Sequence, residues 1–368
     1  MIEYIEGHVA FDNPKPHVHS RQGYFPGVVQ LSSGELICLF VMGEAFEAPN
    51  LTTYVTRSQD HGRTWTLQGP LYDKYHLPIP ASDCIKATLL RSGKLSAIGY
   101  RYLRKDPEQA IAIPETNGFQ PGENICCSSD DEGRHWTEPT VIPKRHPEII
   151  EVSGPSIETQ SGDLLAIGAL FKLPDGSNPS GPVGVLLRSS NQGRTWSDDE
   201  LFYHWRNITP YEARICEMQP GRLVIILWAY DAATDRNLPN QVTFSTDNGR
   251  SWSEPQDTGH MAQSSNLLWL GGDLLASIHA HRGSDPGVYV RLVDFSKNRW
   301  KVIEERVIWG PPAGYRNPEG LAMADMFASL KFGQPSLLHL TGNEFLASHW
   351  SVEGGQGKIR LHRLKIGV

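Results

Sequence analysis

One short phrase recurs along the chain and constrains its fold more than any other feature. Ser58-Gln-Asp60-His-Gly62-Arg-Thr64-Trp65 returns as Ser129-Asp-Asp131-Glu-Gly133-Arg-His135-Trp136 and as Ser189-Ser-Asn191-Gln-Gly193-Arg-Thr195-Trp196. A fourth copy is Ser245-Thr-Asp247-Asn-Gly249-Arg-Ser251-Trp252, and a worn fifth is Asp294-Phe-Ser296-Lys-Asn298-Arg-Trp300. An Asp or Asn at the third position can accept backbone N–H bonds across a turn. The glycine two residues on permits a positive φ, and the tryptophan brings a large area to bury between neighbouring units. A feature in four regular copies is architecture rather than four catalytic centres. Asp60, Asp131, Asn191 and Asp247 therefore belong to the scaffold.

A second repeat precedes each phrase: an apolar run, a turn and another apolar run. It spans Phe25–Phe40, Cys84–Gly99, Pro155–Ala169, Ala213–Trp228, Ser264–Ile278 and Pro335–His349. Six units in 368 residues give about 60 residues each, the period of a propeller blade. No segment keeps a 3.6-residue apolar rhythm, so helices should be few. The expected fold is all-β: one six-bladed propeller domain over residues 1–368, with four antiparallel strands per blade. The sixth unit lacks the Trp phrase, and Glu3–Phe11 is free to supply its outer strand and close the ring.

Composition narrows the function. Hydrophobic residues are 39% and charged residues 20%, enough for a core. The formal net charge of -7 and the lack of a basic run argue against nucleic acid and against anionic membrane as partners. The N-terminus MIEYIEGHVAFDNP has no basic region followed by an apolar one, so a cytoplasmic location is expected. Five cysteines without C-x-x-C spacing read as core-filling thiols.

The Trp phrases resemble the Asp-boxes, or BNR repeats, of the sialidase (neuraminidase) superfamily, and the resemblance covers essentially the whole chain. It implies a carbohydrate ligand at the propeller axis. Sialidases bind the sugar carboxylate with three arginines and use a tyrosine nucleophile, a helping glutamate and an aspartic acid/base. Where the family has its first arginine this chain has Tyr24, with Arg21 three residues earlier. The loop carrying the family's aspartate here offers Glu44 and Glu47. The family's glutamate corresponds to Glu212, and its third arginine to Arg282. The second arginine is absent around Tyr230, and the nucleophile's position reads Phe332-Gly-Gln334-Pro335. The resemblance therefore implies a divergent carbohydrate-active enzyme, a glycoside hydrolase acting on an acidic or uncommon sugar.

Chain topology gathers the starts of the inner strands, and the loops after the second strands, at one end of the axis. A concave site belongs there. That mouth receives Arg21, Tyr24, Glu44 and Glu47 from blade one, and Asp83, Arg101 and Arg104 from blade two. Glu151 comes from blade three, and Tyr211, Glu212, Arg214, Tyr230 and Asp231 from blade four. Blade five adds Gln263, His279, His281 and Arg282. Blade six adds Gln334, His349 and Trp350, and the loop before it Tyr315, Arg316 and Glu319. We assign Glu212 as base or nucleophile, with Glu47 or Glu44 as acid. Arg21, Tyr24, Asp83, Arg101, Tyr211, Arg214, Tyr230, His279, His281, Arg282 and Gln334 are assigned to sugar binding.

Two alternatives compete. The pairs His17-Val-His19 and His279-Ala-His281 put two imidazoles on one side of an extended segment, which suits lyase chemistry or a metal. A funnel of aromatics and arginine also suits a binder with no catalytic acid. The favoured reading calls for no metal and no cofactor.

Overall fold

The computed structural model describes residues 1–312, 315 and 323–367. Six antiparallel sheets form a six-bladed β-propeller. Blade one is built from Gln22–Gln30, Leu36–Gly43, Thr52–Ser58 and Thr66–Pro70. Blades two to five follow in chain order. Their second strands are Leu95–Leu103, Leu164–Phe171, Arg222–Asp231 and Leu274–His281. Blade six pairs Phe332–Thr341, Glu344–Glu353 and Gln356–Ile366, and its fourth strand is Ile2–Phe11 from the N-terminus. The register runs from Ile2 opposite Ile366 to Phe11 opposite Ile359. The expected closure of the ring is the observed one.

The second strand of each blade is buried on both faces, as in the all-buried run Leu36–Gly43. Alternation then divides its side chains between two neighbours. Ile37 and Leu39 pack with Ile85 and Leu95 of blade two, while Leu36, Cys38 and Phe40 pack with Leu346, Ile359 and Leu361 of blade six. Each remaining interface repeats the scheme: Ile98 with Ile150, Leu186 with Ile225, Val224 with Leu275, and Ile278 with Ala347. All five cysteines are buried and unpaired within these layers.

The recurring Trp phrases are turns between third and fourth strands. In the first, the Gly62 N–H donates to Ser58 Oγ at 2.9 Å and the Thr64 N–H to Asp60 Oδ1 at 2.8 Å. Trp65 Nε1 donates to the Gly62 carbonyl at 3.0 Å. The turn needs two consecutive residues at positive φ, His61 at 60° and Gly62 at 87°. The other three copies share this pattern, with Asn191 accepting from the Thr195 N–H at 3.0 Å. The worn fifth copy keeps, within Ser296–Asn298, two consecutive positive-φ residues, Lys297 and Asn298 at 55° each, with Asn298 in the glycine's place.

Two irregular insertions reach over the axis. One is the two-stranded hairpin Ala112–Ile113 with Gly118–Phe119. The other is the short helix Met323–Ser329 in the connection before blade six. Arg316 and Glu319 lie outside the described residues. Among the described residues no helix is long and apolar enough to cross a membrane.

Two stability predictions follow from this architecture. Asp60→Ala removes the acceptor of the first turn and should cost about 1–2 kcal/mol, the scale of a lost cap. Chemical denaturation measures it, and an unchanged midpoint would remove the turn from the scaffold. Deleting residues 1–11 bares the edge of Gln356–Ile366 and should give aggregating protein. A truncated chain that stays monomeric by light scattering and melts like the full chain would contradict the closure.

Candidate functional site

Inner strands converge at the axis, where three of them break their register. Blade one shifts between Tyr24 and Gly27, blade four between Tyr211 and Arg214, and blade six between Gly333 and Ser336. Each shift contains a non-glycine residue in the left-handed region: Phe25 at φ 52°, Glu212 at 43° and Gln334 at 41°. Such conformers cost about 1–3 kcal/mol each and cluster where a side chain must be aimed. All three side chains line one cavity at the axis.

That cavity is walled mainly by aromatic rings. Tyr100 and Tyr102 come from blade two, Phe171 from blade three, Tyr211 and Trp228 from blade four, and Trp350 from blade six. The insertions roof it with Phe119, Met326 and Phe327; the Phe119 ring stacks on Phe171 at 4.2 Å and meets Phe327 edge-on at 5.9 Å.

Four carboxyls, Glu47, Asp83, Glu151 and Glu212, face this apolar wall. Burial, and then the neighbouring Glu212 charge, push the Glu151 carboxyl up to about 8; nearby Arg214 works in the opposite direction. Glu47 arrives from the loop after the second strand of blade one. Burial holds its carboxyl above the usual range even though Oε1 accepts the Ala112 N–H at 2.9 Å. Asp83 is committed to structure. Its Oδ1 accepts both the N–H and the hydroxyl of Thr53 at 2.7 Å, and its Oδ2 accepts from Tyr72 at 3.2 Å.

Arg282 is the only cation on the cavity wall among the described residues. Its Nε donates to the Phe332 carbonyl at 2.8 Å, and its Nη1 donates to Gln263 Oε1. Gly333 makes this passage possible, since a Cβ there would lie 2.0 Å from Arg282 Nη2. Burial lowers the Arg282 pKa and the Glu212 charge raises it. Four polar atoms around the cavity have no partner among the described residues: Tyr102 OH, Glu151 Oε2, Gln334 Oε1 and Trp350 Nε1. Buried polar atoms are rarely left so, and here they are candidate contacts for a polar ligand.

The sequence-derived site therefore divides. Glu212, Glu47, Tyr211, Arg282, Gln334 and Asp83 meet around the cavity. Tyr24 and Tyr230 sit behind its wall, Tyr24 against Trp350 and Tyr230 against Tyr211. Glu44 and Arg21 are exposed outside it. Arg101 points to the opposite face of its strand from Tyr100 and Tyr102 and binds Glu123 at 2.7 Å. Alternation on Leu274–His281 sends His279 and His281 toward blade four rather than the axis. There His279 meets Ser277 at 2.9 Å and His281 meets Arg291 at 2.9 Å. His17 and His19 are exposed. Among the described residues no three His, Cys, Asp or Glu side chains converge as a metal site. Arg214 was expected beside Glu212, but the bulge turns it downward into a separate axial cavity.

Sequence reasoning missed Tyr100, Tyr102 and the roof. The strand's alternation was legible, but which parity faced the axis was not. The run Met323–Ser329 is too short to carry a helical period.

The propeller and its axial cavity define a sialidase-like fold. No protein-family model matches the sequence, and no curated protein does. Among solved structures, a protein of unknown function from Dyadobacter fermentans DSM 18053 is similar at 20% identity. That match covers 100% of this chain and 99% of that one, with a TM-score of 0.74. The Hadza microbial sialidase Hz136 is 18% identical over 94% of this chain and 66% of its own, TM-score 0.69. NanB sialidase from Streptococcus pneumoniae is 12% identical over 98% of this chain and 70% of its own, TM-score 0.63. This chain thus spans about two thirds of the length of those two sialidase chains. At these identities the likeness is one of fold.

The electrostatic pairing can be tested directly. Glu212→Gln removes the negative neighbour, so Glu151 should ionise more easily and its pKa should fall below about 8. It should stay above the ordinary carboxyl value, because burial is the larger cause. Carboxyl carbon NMR titration reads the shift, and an unmoved Glu151 would show the two groups to be independent.

Proposed function

We propose that this protein is a glycoside hydrolase whose axial cavity holds a sugar. One observation carries the reading: the carboxyls of Glu47, Glu151 and Glu212 line one aromatic cavity, with Glu151 buried, Glu47 half-buried and Glu212 aimed in by a strained bulge. Aromatic faces stack on sugar C–H surfaces, and the orphaned atoms of Tyr102, Gln334 and Trp350 match ring hydroxyls. Burial raises the Glu47 carboxyl, which suits it to serve as general acid from blade one. Glu212 comes from blade four and acts as base or nucleophile. The Glu212 charge adds to burial in raising the Glu151 carboxyl.

In the step, Glu47 protonates the glycosidic oxygen as its bond to the anomeric carbon breaks. In the inverting route water adds to that carbon from the opposite face as Glu212 takes its proton; in the retaining route Glu212 first bonds to the carbon, and the Glu47 carboxylate then takes the proton of the water that displaces it. NMR of the first-formed anomer separates these two routes.

The lining favours an uncommon sugar with large apolar faces over an acidic one. Carboxyls outnumber the single cation on the wall, and Arg282 is already engaged by Gln263 and Phe332.

The test is a screen of neutral and acidic aryl glycosides, followed by Glu212→Gln and Glu47→Gln on any substrate found. Each change should lower kcat by about a hundredfold or more, the scale of a lost acid–base group, with Tm nearly unchanged. Sugar binding by calorimetry with no turnover, unaffected by either change, would instead make the protein a binder.

A further inference from the structure

Below the aromatic cavity lies a second one, on the axis itself. The innermost strands of all six blades line it, contributing Val28, Lys86, Ser153, Arg214, Asn266 and Ser336 in turn. Two of these six are cations, and both are buried: Lys86 is 2% exposed and Arg214 7%. Their hydrogen bonds go to neutral groups. Lys86 Nζ donates to the Phe25 carbonyl and faces Cys84 Sγ at 3.6 Å. Arg214 donates to Ser153 Oγ at 2.9 Å and to the Ala213 and Ser153 carbonyls at 2.8 and 3.1 Å.

Two glycines keep room for these side chains. A Cβ on Gly27 would lie 2.8 Å from Lys86 Cδ, and one on Gly154 would lie 2.8 Å from Arg214 Cδ. The channel wall is therefore shaped around its two cations. Carbonyls and hydroxyls solvate a buried cation but do not neutralise it, and an uncompensated buried charge is costly. Burial and the presence of Arg214 both push the Lys86 pKa down, as expected of two cations sharing one space.

We propose that the axial channel binds a small inorganic monoanion, of the size and charge of chloride, between Lys86 and Arg214, with Asn266 and Ser336 on the same wall. Such an ion supplies the negative partner that the carbonyls and hydroxyls around the two buried cations do not. A spherical anion accepts from ammonium and guanidinium donors without needing donors of its own. The site does not depend on the sugar reading above.

The experiment uses the full chain. Thermal melts in sodium bromide are compared with melts in sodium gluconate, a bulky organic anion rather than a spherical one, at equal ionic strength. Tm should climb with the logarithm of bromide concentration once the site's Kd is passed, and should not do so in gluconate. Lys86→Met and Arg214→Met should each abolish the bromide-specific rise. Because removing a buried cation can unfold the ring, bromide-soaked crystals of the unaltered protein give a second measurement. An anomalous peak touching Lys86 Nζ and the Arg214 guanidinium is expected. No peak there, or identical melting in the two salts, overturns the proposal. A peak without the bromide-specific rise marks an adventitious ion only and overturns it as well.

Discussion

The double-sided burial of each blade's second strand is the constraint on which the rest depends. A strand such as Leu36–Gly43 or Leu164–Phe171 has no face that water can take. It needs an apolar partner on each side, so no blade is stable by itself and an open row would leave two faces bare. Closing the row into a ring satisfies every face at once. Ring closure then requires that the last blade be completed from the other end of the chain. Pairing of Ile2–Phe11 with Gln356–Ile366 does this, and Arg306 donating to the Ile2 carbonyl at 2.8 Å joins the new strand to blade five.

A ring of six such blades leaves an axis that its own strands do not fill. Regular pleating would divide the innermost side chains evenly between the two blade faces. The bulges at Phe25, Glu212 and Gln334 depart from that rule on three blades, and each turns one side chain toward the axis. The strain is held in place by the rigid strands outside it. Here local conformational preference yields to the packing around it, and the site is built where it does.

The axis is also polarised. Carboxyls collect at the upper end, where burial raises the cost of ionising Glu151 and Glu47. Cations collect below, where carbonyls and hydroxyls receive their donors. Gln334 lines both cavities and forms part of the partition. Charge crosses that partition: Arg214, seated in the lower cavity, works against the rise in the Glu151 pKa. Arg214 is thus part of the environment that tunes Glu151.

The chain's own residues determined the fold class, because a turn that needs consecutive positive-φ residues and a Trp can be read locally wherever it occurs. Six hairpins at a propeller's period, and a missing outer strand matched by a spare N-terminal one, made the ring and its closure legible. Glu212, Glu47 and Arg282 were reachable the same way, since topology sends those loop and strand ends to one mouth. Tertiary structure alone decided which parity of a strand faces the axis. Arg101 and Tyr100 are neighbours in sequence, yet one is locked against Glu123 and the other lines the cavity. It also decided that a bulge parts Glu212 from Arg214, which simple alternation had placed side by side. The physical reason is the same in both cases. A period of two specifies that alternate residues share a face, and only packing against the next blade specifies which face that is.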